Sequence, residues 1–347
     1  STGLQSSPLS ASKVGSITSQ LNAKTYRIYG WPQGPAIAQQ IVAQSSSPTE
    51  IKFMIEIWDL NSITTSTVDQ LISDYSAVAD NVYLINIGNE PVLNPNYMSW
   101  NQLSTKLSLV YGHLATKGSP WNNVKVTIPF SEAIIGTSWP VQSGSFNAAH
   151  KAELYNILSI LDNKNAPFTM NMYPYFGEPS DYTQYALGNQ PGWGGHKNYD
   201  NMLEAKYEAA LYAMENVYPG AYSNIELIVT ETGWSTQSAS AKSSFSNSAN
   251  AKDYIANVVK AMNNPSSILY EKKIYFFELF DEDKKGNWGQ DQDWEPYFGI
   301  YDKWGNSKGI YSDPNCNNGI SNGIACCSAG CGSCGGSGCS SRSGGAS

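Results

Sequence analysis

Two glutamates in this 347-residue chain each close a continuous apolar run and could act as a chemical pair. Glu90 ends VYLINIGNEP, where the following proline prevents a strand from continuing its hydrogen-bond ladder. Glu231 lies in LIVTETGW, where we expect Gly233 to permit a tight turn that leaves the carboxylate exposed at a rim. A lone glutamate in such a place is usually solvated or ion-paired. Two carboxylates facing each other across a cleft meet the requirement of glycoside hydrolysis, because one protonates the leaving oxygen while the other attacks or activates water.

The elements that position these residues are short strand-like runs alternating with segments of helical period. Such alternation predicts a parallel sheet, and eight units close a (β/α)8 TIM barrel, which we assign to residues 1–314. The predicted strands are residues 3–7, 25–29, 51–58, 82–88, 124–130, 168–173, 225–230 and 273–280, and the clearest helices are 97–115, 151–161, 202–217 and 250–262. The first strand is short and polar. Residues 283–311 are too rich in Gly, Trp and Asp to predict an eighth helix.

In a parallel barrel the carboxyl ends of all strands open on one face, and functional residues collect there. Glu90 on the fourth strand and Glu231 on the seventh are then nearly opposite. Most other residues at the strand ends are carboxylates or aromatics, and the full set is Tyr29, Trp31, Trp58, Asp59, Asn89, Ser131, Glu132, Tyr173, Tyr175, Trp234, Glu278, Asp281 and Glu282. This density favours a catalytic site, although each aromatic residue could equally serve packing.

The composition favours an uncharged ligand with faces that aromatic rings can stack on. Charged residues make up 14% of the chain, below the roughly 25% of an average soluble domain, while aromatics reach 12%. The formal net charge of −8 and the absence of a basic cluster argue against nucleic acid. No stretch has the eighteen or so apolar residues that a membrane span requires. A sugar is therefore a better candidate ligand than an anion.

The six cysteines all lie between Cys316 and Cys339, in a Gly/Ser-rich stretch that we assign to an appendage over residues 315–347. Crowded cysteines in such a tail favour disulfides and secretion, and six cysteines allow fifteen pairings. Zinc is the alternative, but all three histidines are far from the tail. The chain opens on STGLQSS, which we interpret as the start of an already processed secreted protein, and its end shows no lipid-anchor signal.

Several motifs resemble glycoside hydrolase family 17, the β-1,3-glucanases and β-1,3-glucanosyltransferases of plants and fungi. The matching stretches are GLQSSP, TYRIYG, INIGNEP, NMYPYF, VTETGW, FFELFDEDKKGN and EPYFGIYD, which together cover residues 3 to about 311. The resemblance implies a barrel enzyme that needs neither metal nor organic cofactor. The linker over residues 177–198 is short and shows no obvious hairpin, so the chain looks closer to fungal members, many of which are transferases.

By this resemblance Glu90 is the general acid/base and Glu231 the nucleophile of a retaining, double-displacement reaction. Glu90 must hold a proton, so we expect an apolar setting and the charge of Glu231 to raise its pKa. Glu231 must stay ionised, which requires hydrogen-bond donors nearby. A retaining pair places its carboxyl groups about 5 to 5.5 Å apart. Asn89 resembles the residue that holds the sugar 2-hydroxyl, although an asparagine there could simply form a turn.

The remaining candidates surround this pair. Tyr173 could donate to the nucleophile. Glu282 and Lys285 could stabilise the surroundings of the acid, or form an ordinary surface ion pair. The other residues proposed to bind substrate are Tyr29, Trp58, Glu132, Tyr175, Phe176, Trp234 and Glu278.

Three functional hypotheses follow from these residues and the resemblance. We favour a secreted, cell-wall-associated β-1,3-glucanosyltransferase, which uses β-1,3-glucan as both donor and acceptor and acts as a monomer. An endo-β-1,3-glucanase is the first alternative, because the same motifs are compatible with water as the acceptor of the glycosyl group. A non-catalytic glucan-binding wall protein is the second, and the presence of both glutamates disfavours it.

Overall fold

The computed structural model describes residues 5–21, 23–30, 32–91, 100–177, 182–192, 199–239, 242–285 and 292–311, and two short strands at 320–321 and 324–325. Trp31, all six cysteines and the proposed boundary at residue 314 lie outside these ranges. The tail and its disulfides therefore stay predictions.

The parallel strands follow one another around the sheet in sequence order. One ladder joins β1 (Thr25–Ile28), β2 (Lys52–Ile57), β3 (Val82–Ile87) and β4 (Lys125–Thr127). The other joins β5 (Pro129–Ser131), β8 (Phe168–Asn171), β9 (Leu227–Thr232) and β10 (Ile274–Phe276). Every pairing within both ladders is parallel. Only Ile128 separates β4 from β5, so the two ladders form one curved surface.

The helices between these strands cover the outside of the sheet. They are α1 (Ala11–Thr18), α2 (Gly34–Gln44), α3 (Thr65–Asp74), α4 (Leu103–Leu114), α5 (Lys151–Asn163), α6 (Thr183–Leu187), α7 (Met202–Val217), α8 (Ala221–Asn224) and α9 (Ser248–Met262). The described residues between 283 and 311 contain no α-helix. Two antiparallel pairs lie outside the ladders: β6 (Ile135–Thr137) with β7 (Ser145–Phe146), and β11 (Ile320–Ser321) with β12 (Ile324–Ala325).

The predicted fold class, a barrel of alternating strands and helices, is confirmed, with differences at its two ends. Residues 5–7 form a bend rather than the end of a strand, and residues 3–4 lie outside the described ranges. Polar contacts hold this segment against the last strand run, since Gln5 is buried and donates to the carbonyl of Asp281 at 2.9 Å. The predicted 273–280 strand is shorter in the structure, where β10 spans Ile274–Phe276 and its register with β9 shifts between these two residues.

The barrel interior is layered. Met54, Leu84, Ile228 and Tyr275 pack together as an apolar cluster contributed by β2, β3, β9 and β10. Because side chains alternate along a strand, residues two positions closer to the carboxyl ends face the same interior. On β2 that residue is Glu56, which is buried. An apolar floor therefore supports a polar layer near the carboxyl ends of the strands.

Gly88, just after β3, provides a test of how tightly this end of the strand is packed. Its φ of +67° is left-handed, and a Cβ there would lie 2.4 Å from Cγ of the buried Leu60. We expect Gly88→Ala to lower the free energy of unfolding by about 2 kcal/mol or more, from backbone strain and this clash. Urea denaturation measures the change.

Gly112 is the matched control, since it lies within α4 and, apart from its own turn of helix, no atom lies within 4 Å of a Cβ built there. Gly112→Ala should leave stability unchanged or raise it by up to about 1 kcal/mol, because alanine is the better helix former. Equal stability of the two variants would show that Leu60 can move aside.

Candidate active site

Glu90 lies directly beyond β3 with its backbone held in an unusual conformation. Its φ is +48°, in the left-handed region that residues with a Cβ rarely adopt. Its N–H donates to the carbonyl of Pro129 at 2.8 Å, and the Asn171 side-chain amide donates to its Oε1 at 2.9 Å. Such strained residues persist only where their surroundings hold them, and they cluster at functional sites.

The environment of Glu90 favours its protonated form. Burial first, and then the negative charge of Glu231, raise the pKa of Glu90 to about 7. The hydrogen bond from Asn171 and the positive charge of Arg27 oppose this rise, while Glu132 adds to it. Near neutral pH this carboxyl group can therefore both hold and release a proton.

Glu231 has a different set of neighbours. Its Oε1 accepts from Arg27 Nη1 at 2.7 Å and from the Tyr29 hydroxyl at 2.8 Å. Its Oε2 accepts from the Tyr173 hydroxyl at 2.8 Å. One charged and two neutral donors thus fix the position of both carboxylate oxygens.

The expectation that Glu231 would be exposed at a rim is wrong. The residue lies within β9 and is 7% exposed. Gly233 is required for a different reason, because a Cβ there would lie 2.1 Å from the carbonyl oxygen of Phe277. The glycine thus allows two backbones to approach closely.

Arg27 is one of the functional residues that the sequence analysis missed. Its Nη2 contacts Glu56 Oε2 at 3.0 Å and Asn89 Oδ1 at 2.9 Å, in addition to the bond to Glu231. Its guanidinium also lies 4.4 Å from the ring centre of Tyr29. A charged residue inside a short barrel strand was the available signal, since a buried charge requires a partner.

Asn171 connects the two glutamates. Its Nδ2 donates to Asn89 Oδ1 at 3.1 Å as well as to Glu90, and its Oδ1 accepts from the Thr230 hydroxyl at 2.7 Å. Arg27 Nη1 lies 3.3 Å from the same Oδ1. The predicted pair from two distant strands is therefore brought into one hydrogen-bond network.

A second buried cluster contains Glu278, Glu282 and Lys285. The lysine Nζ lies 3.0 Å from Glu278 and 2.9 Å from Glu282, and 4.0 Å from the ring centre of Phe277. Burial alone lowers the pKa of Lys285, but the two carboxylates outweigh it and the pKa is raised. All three charged residues are buried, so the alternative of a surface ion pair is wrong.

The predicted aromatic residues separate into buried and exposed groups. Tyr175 and Trp234 are buried and pack edge to face with each other, and the Trp234 indole donates to the carbonyl of Phe245. A buried ring cannot present a face to a sugar, so we do not assign these two a stacking role. Trp58 and Phe176 are exposed large aromatics.

Glu132, another predicted residue, begins a short helical turn after β5. Its Oε2 accepts from Lys206 Nζ at 2.7 Å, and both side chains are partly exposed. Sequence reasoning missed Lys206, which lies on α7, because no local pattern links the two positions.

The residues in the described ranges form neither a metal-binding cluster nor a membrane-spanning helix. Among those residues, no group of three or more His, Cys, Asp or Glu is arranged to hold a metal ion. No helix within the same ranges is both long and apolar enough to cross a bilayer.

A model of one known protein family matches most of this chain. The family model described as glycosyl hydrolases family 17 matches residues 20–312. The chain belongs to glycosyl hydrolase family 17. The predicted resemblance is thereby confirmed, and the match includes Glu90, Glu231 and the network between them.

Relatives of this family 17 chain include several plant proteins. Glucan endo-1,3-beta-glucosidase 13 of Arabidopsis thaliana is 25% identical, over 87% of this chain and 62% of its own length. A glucan endo-1,3-beta-D-glucosidase of Olea europaea is 30% identical, over 64% of this chain and 49% of its own length. The chain thus spans less than two thirds of the length of each of these two relatives.

Solved structures share the family 17 fold. CJP38, a beta-1,3-glucanase of Cryptomeria japonica pollen, has a TM-score of 0.73 at 25% identity, covering 88% of this chain and 94% of that one. A family 17 beta-1,3-glucanosyltransferase from Rhizomucor miehei has a TM-score of 0.52 at 16% identity, covering 88% and 92%.

The raised pKa of Glu90 predicts a pH-dependent stability. An unfolded glutamate has a pKa of about 4.3, so between roughly pH 4 and 7 the folded state holds a proton that the unfolded state lacks. This contribution is present at low pH and disappears as the pH rises through about 7. The Glu90→Gln variant lacks this titration. Its free energy of unfolding, compared with that of the unmodified protein at the same pH, should therefore increase by on the order of 1–3 kcal/mol between pH 4 and pH 8.

Urea unfolding at a series of pH values measures this difference. If the free energies of unfolding of the two proteins change in parallel with pH, burial and Glu231 do not raise the pKa of Glu90.

Proposed function

We propose that this chain is a retaining glycosidase that acts on β-1,3-glucan, with Glu90 as general acid/base and Glu231 as nucleophile. The observation that carries the proposal is the unequal environment of the two carboxyl groups within one network. Burial and a neighbouring charge favour a proton on Glu90, whereas Arg27, Tyr29 and Tyr173 surround Glu231 with donors. Membership of family 17 and the plant relatives, which are named as glucan endo-1,3-beta-glucosidases, support β-1,3-glucan as the substrate.

The first step would break the glycosidic bond. Glu90 donates its proton to the glycosidic oxygen while Glu231 attacks the anomeric carbon, and the leaving sugar departs with the proton. A covalent glycosyl ester forms at Glu231. In the second step Glu90, now ionised, takes a proton from water or a sugar hydroxyl, whose oxygen attacks the same carbon and releases Glu231. Each step inverts the configuration at the anomeric carbon, so the product retains the configuration of the substrate.

The neighbours of the nucleophile have defined parts in this scheme. Burial raises the pKa of both Tyr29 and Tyr173 well above the usual tyrosine value, so each phenol stays a neutral donor. Asn89 uses its Oδ1 to accept from Arg27 and Asn171, so its NH2 group is the part that can reach a sugar hydroxyl. That orientation supports a contact with the 2-hydroxyl, which strengthens in the transition state.

We favour transfer to another glucan over hydrolysis, and the endo-glucanase is the second candidate because the plant relatives carry that name. Water at about 55 M competes with millimolar acceptor, so transfer requires roughly 6 kcal/mol of preferential acceptor binding. Exposed aromatic residues at the mouth, such as Phe176 and Trp58, are suited to supply part of it. Secretion and wall association belong to the same proposal.

Azide rescue tests the roles of the two glutamates. With an activated aryl glucoside of β-1,3-linked glucose as donor, Glu231→Ala should lose several orders of magnitude in kcat, because no covalent intermediate forms. Azide that enters the vacated space should restore part of the rate and yield the α-glycosyl azide.

Glu90→Ala is the matched variant, because azide should then attack an intact glycosyl-enzyme and yield the β-glycosyl azide. NMR of the products identifies the anomers. The same anomer from both variants, or no rescue of folded Glu231→Ala, would overturn the assignment.

Product length over time separates transfer from hydrolysis. With a linear β-1,3-oligosaccharide at millimolar concentration as sole substrate, we expect products longer than the starting chain to appear before short sugars dominate. Chromatography of timed samples detects them. If only shorter products form across the concentration range, the protein is an endo-glucanase.

A further inference from the structure

We propose that Glu56 is a positioning residue for the glycosidase reaction and acts through Arg27: it fixes the guanidinium that holds Glu231 and Asn89, and it takes up part of the guanidinium charge. The inference rests on the proposed function, because it assigns a role behind the same nucleophile. The sequence analysis did not single out Glu56, which lies within a predicted strand rather than at its end.

Glu56 lies in the polar layer of the barrel interior, near the carboxyl end of β2. Its side chain is 0% exposed, whereas that of Glu231 is 9% exposed. Met54, two residues earlier on the same strand, belongs to the apolar floor. A side chain enclosed in this way does not contact substrate, so any part that it has in the reaction passes through its neighbours.

The neighbour that carries this effect is Arg27, whose two terminal nitrogens serve different partners. Its Nη2 donates to Glu56 Oε2 at 3.0 Å and to Asn89 Oδ1 at 2.9 Å. Its Nη1 donates to Glu231 Oε1 at 2.7 Å. A guanidinium is planar and rigid, so an acceptor that fixes Nη2 also fixes the direction in which Nη1 points. Glu56 thus anchors the fork through the nitrogen that does not contact the nucleophile.

Arg27 is shared between two carboxyl groups, so the charge on one affects the other. Burial raises the pKa of Glu56 to about 7, while the charge of Arg27 opposes this rise and the charge of Glu231 adds to it. Below about pH 7 Glu56 is therefore mainly neutral, and the charge of Arg27 is left for Glu231. Above that pH an ionised Glu56 takes up part of this charge.

The protonated form of Glu56 has a neighbour that suits it. Asn86 is its partner across the β2–β3 ladder, and both side chains are buried. Glu56 Oε1 and both polar atoms of the Asn86 amide have no hydrogen-bond partner among the described residues. A proton on Oε1 supplies a donor next to an amide oxygen that lacks one, which reduces the cost of burying both groups.

The charges that act on Glu56 come from two residues. Within the described ranges, the titratable groups that interact with it are Arg27 on β1, Tyr29 directly after β1, Glu231 on β9 and Tyr75 directly after α3. Burial raises the pKa of both tyrosines above the usual value, so each phenol stays neutral. Arg27 and Glu231 therefore set the charge balance at Glu56.

Kinetics of two substitutions test the positioning role. With β-1,3-linked glucopentaose at pH 6, Glu56→Ala should lower kcat about 100-fold and change KM by less than about threefold, because a guanidinium without its anchor misplaces groups that act in the transition state. Glu56→Gln retains an oxygen that accepts from Arg27 and matches the neutral form of the glutamate. Its kcat should stay within about threefold of that of the unmodified protein.

Thr169→Val is the matched control, because Thr169 is buried in the barrel and its hydroxyl donates to the carbonyl of Ile128 rather than to a residue that contacts Arg27. This variant should lower the free energy of unfolding without changing kcat. Urea unfolding of each variant checks that the barrel is intact. Where Glu56→Ala does not fold, Glu56→Gln and the azide measurement decide.

Azide rescue tests the sharing of charge. In Glu231→Ala, azide enters beside Arg27, whose charge an ionised Glu56 partly offsets. The donor is dinitrophenyl β-laminaribioside at pH 8, because its leaving group departs without a general acid. The double variant Glu56→Gln/Glu231→Ala should need about fivefold less azide for half of its maximal rate than Glu231→Ala, since loss of a nearby negative charge strengthens anion binding.

The outcomes separate the two proposals. If the unmodified protein does not turn over the pentaose, or azide does not rescue folded Glu231→Ala, the proposed function fails and this inference fails with it. If both reactions occur, three results overturn the inference alone: an unchanged kcat in folded Glu56→Ala, a Glu56→Gln variant that loses about 100-fold in kcat, or an equal azide requirement with and without Glu56→Gln. The glycosidase proposal then stands.

Discussion

The buried guanidinium of Arg27 is the interaction on which the centre of this barrel depends. It lies 2.7 Å from Glu231 and 3.0 Å from Glu56, and all three side chains are shielded from solvent. Removing one partner of a buried ion pair typically costs about 3 to 5 kcal/mol, because the remaining charge is left uncompensated. Arg27 therefore allows the barrel to carry two interior carboxylates, and it also orients one of them. The same contact joins the stability of the fold to the geometry of the candidate site.

Around this cation, the structure gives two glutamates opposite environments. Glu90 receives one neutral side-chain donor and has a left-handed backbone, and burial raises its pKa to about 7. Glu231 receives three donors, one of them charged. Pairs of carboxyl groups with divergent surroundings are how acid and nucleophile roles are divided in glycosidases. Asn171 donates to Glu90 and accepts from Arg27, which also donates to Glu231, so the two environments are linked rather than independent.

The aromatic residues divide in a similar way between support and surface. Tyr175, Trp234 and Phe245 pack edge to face in the wall behind the site, where their rings are withdrawn from solvent. Trp58, Trp139 and Phe176 are exposed. These exposed rings are the ones whose faces are available to contact a ligand.

The sequence by itself determined the alternation of strands and helices, because side-chain period is a local property that short segments express on their own. The helix over 202–217 and the strands near residues 51–58 and 82–88 were predictable for this reason, and so was the location of Glu90 just beyond a strand. Only the tertiary structure decided which of these residues are buried and what they contact. Arg27 reaches Glu231 across 204 positions of sequence, and Lys206 reaches Glu132 across 74. Such contacts arise when the barrel closes and loops pack on helices, so no periodic pattern along the chain records them.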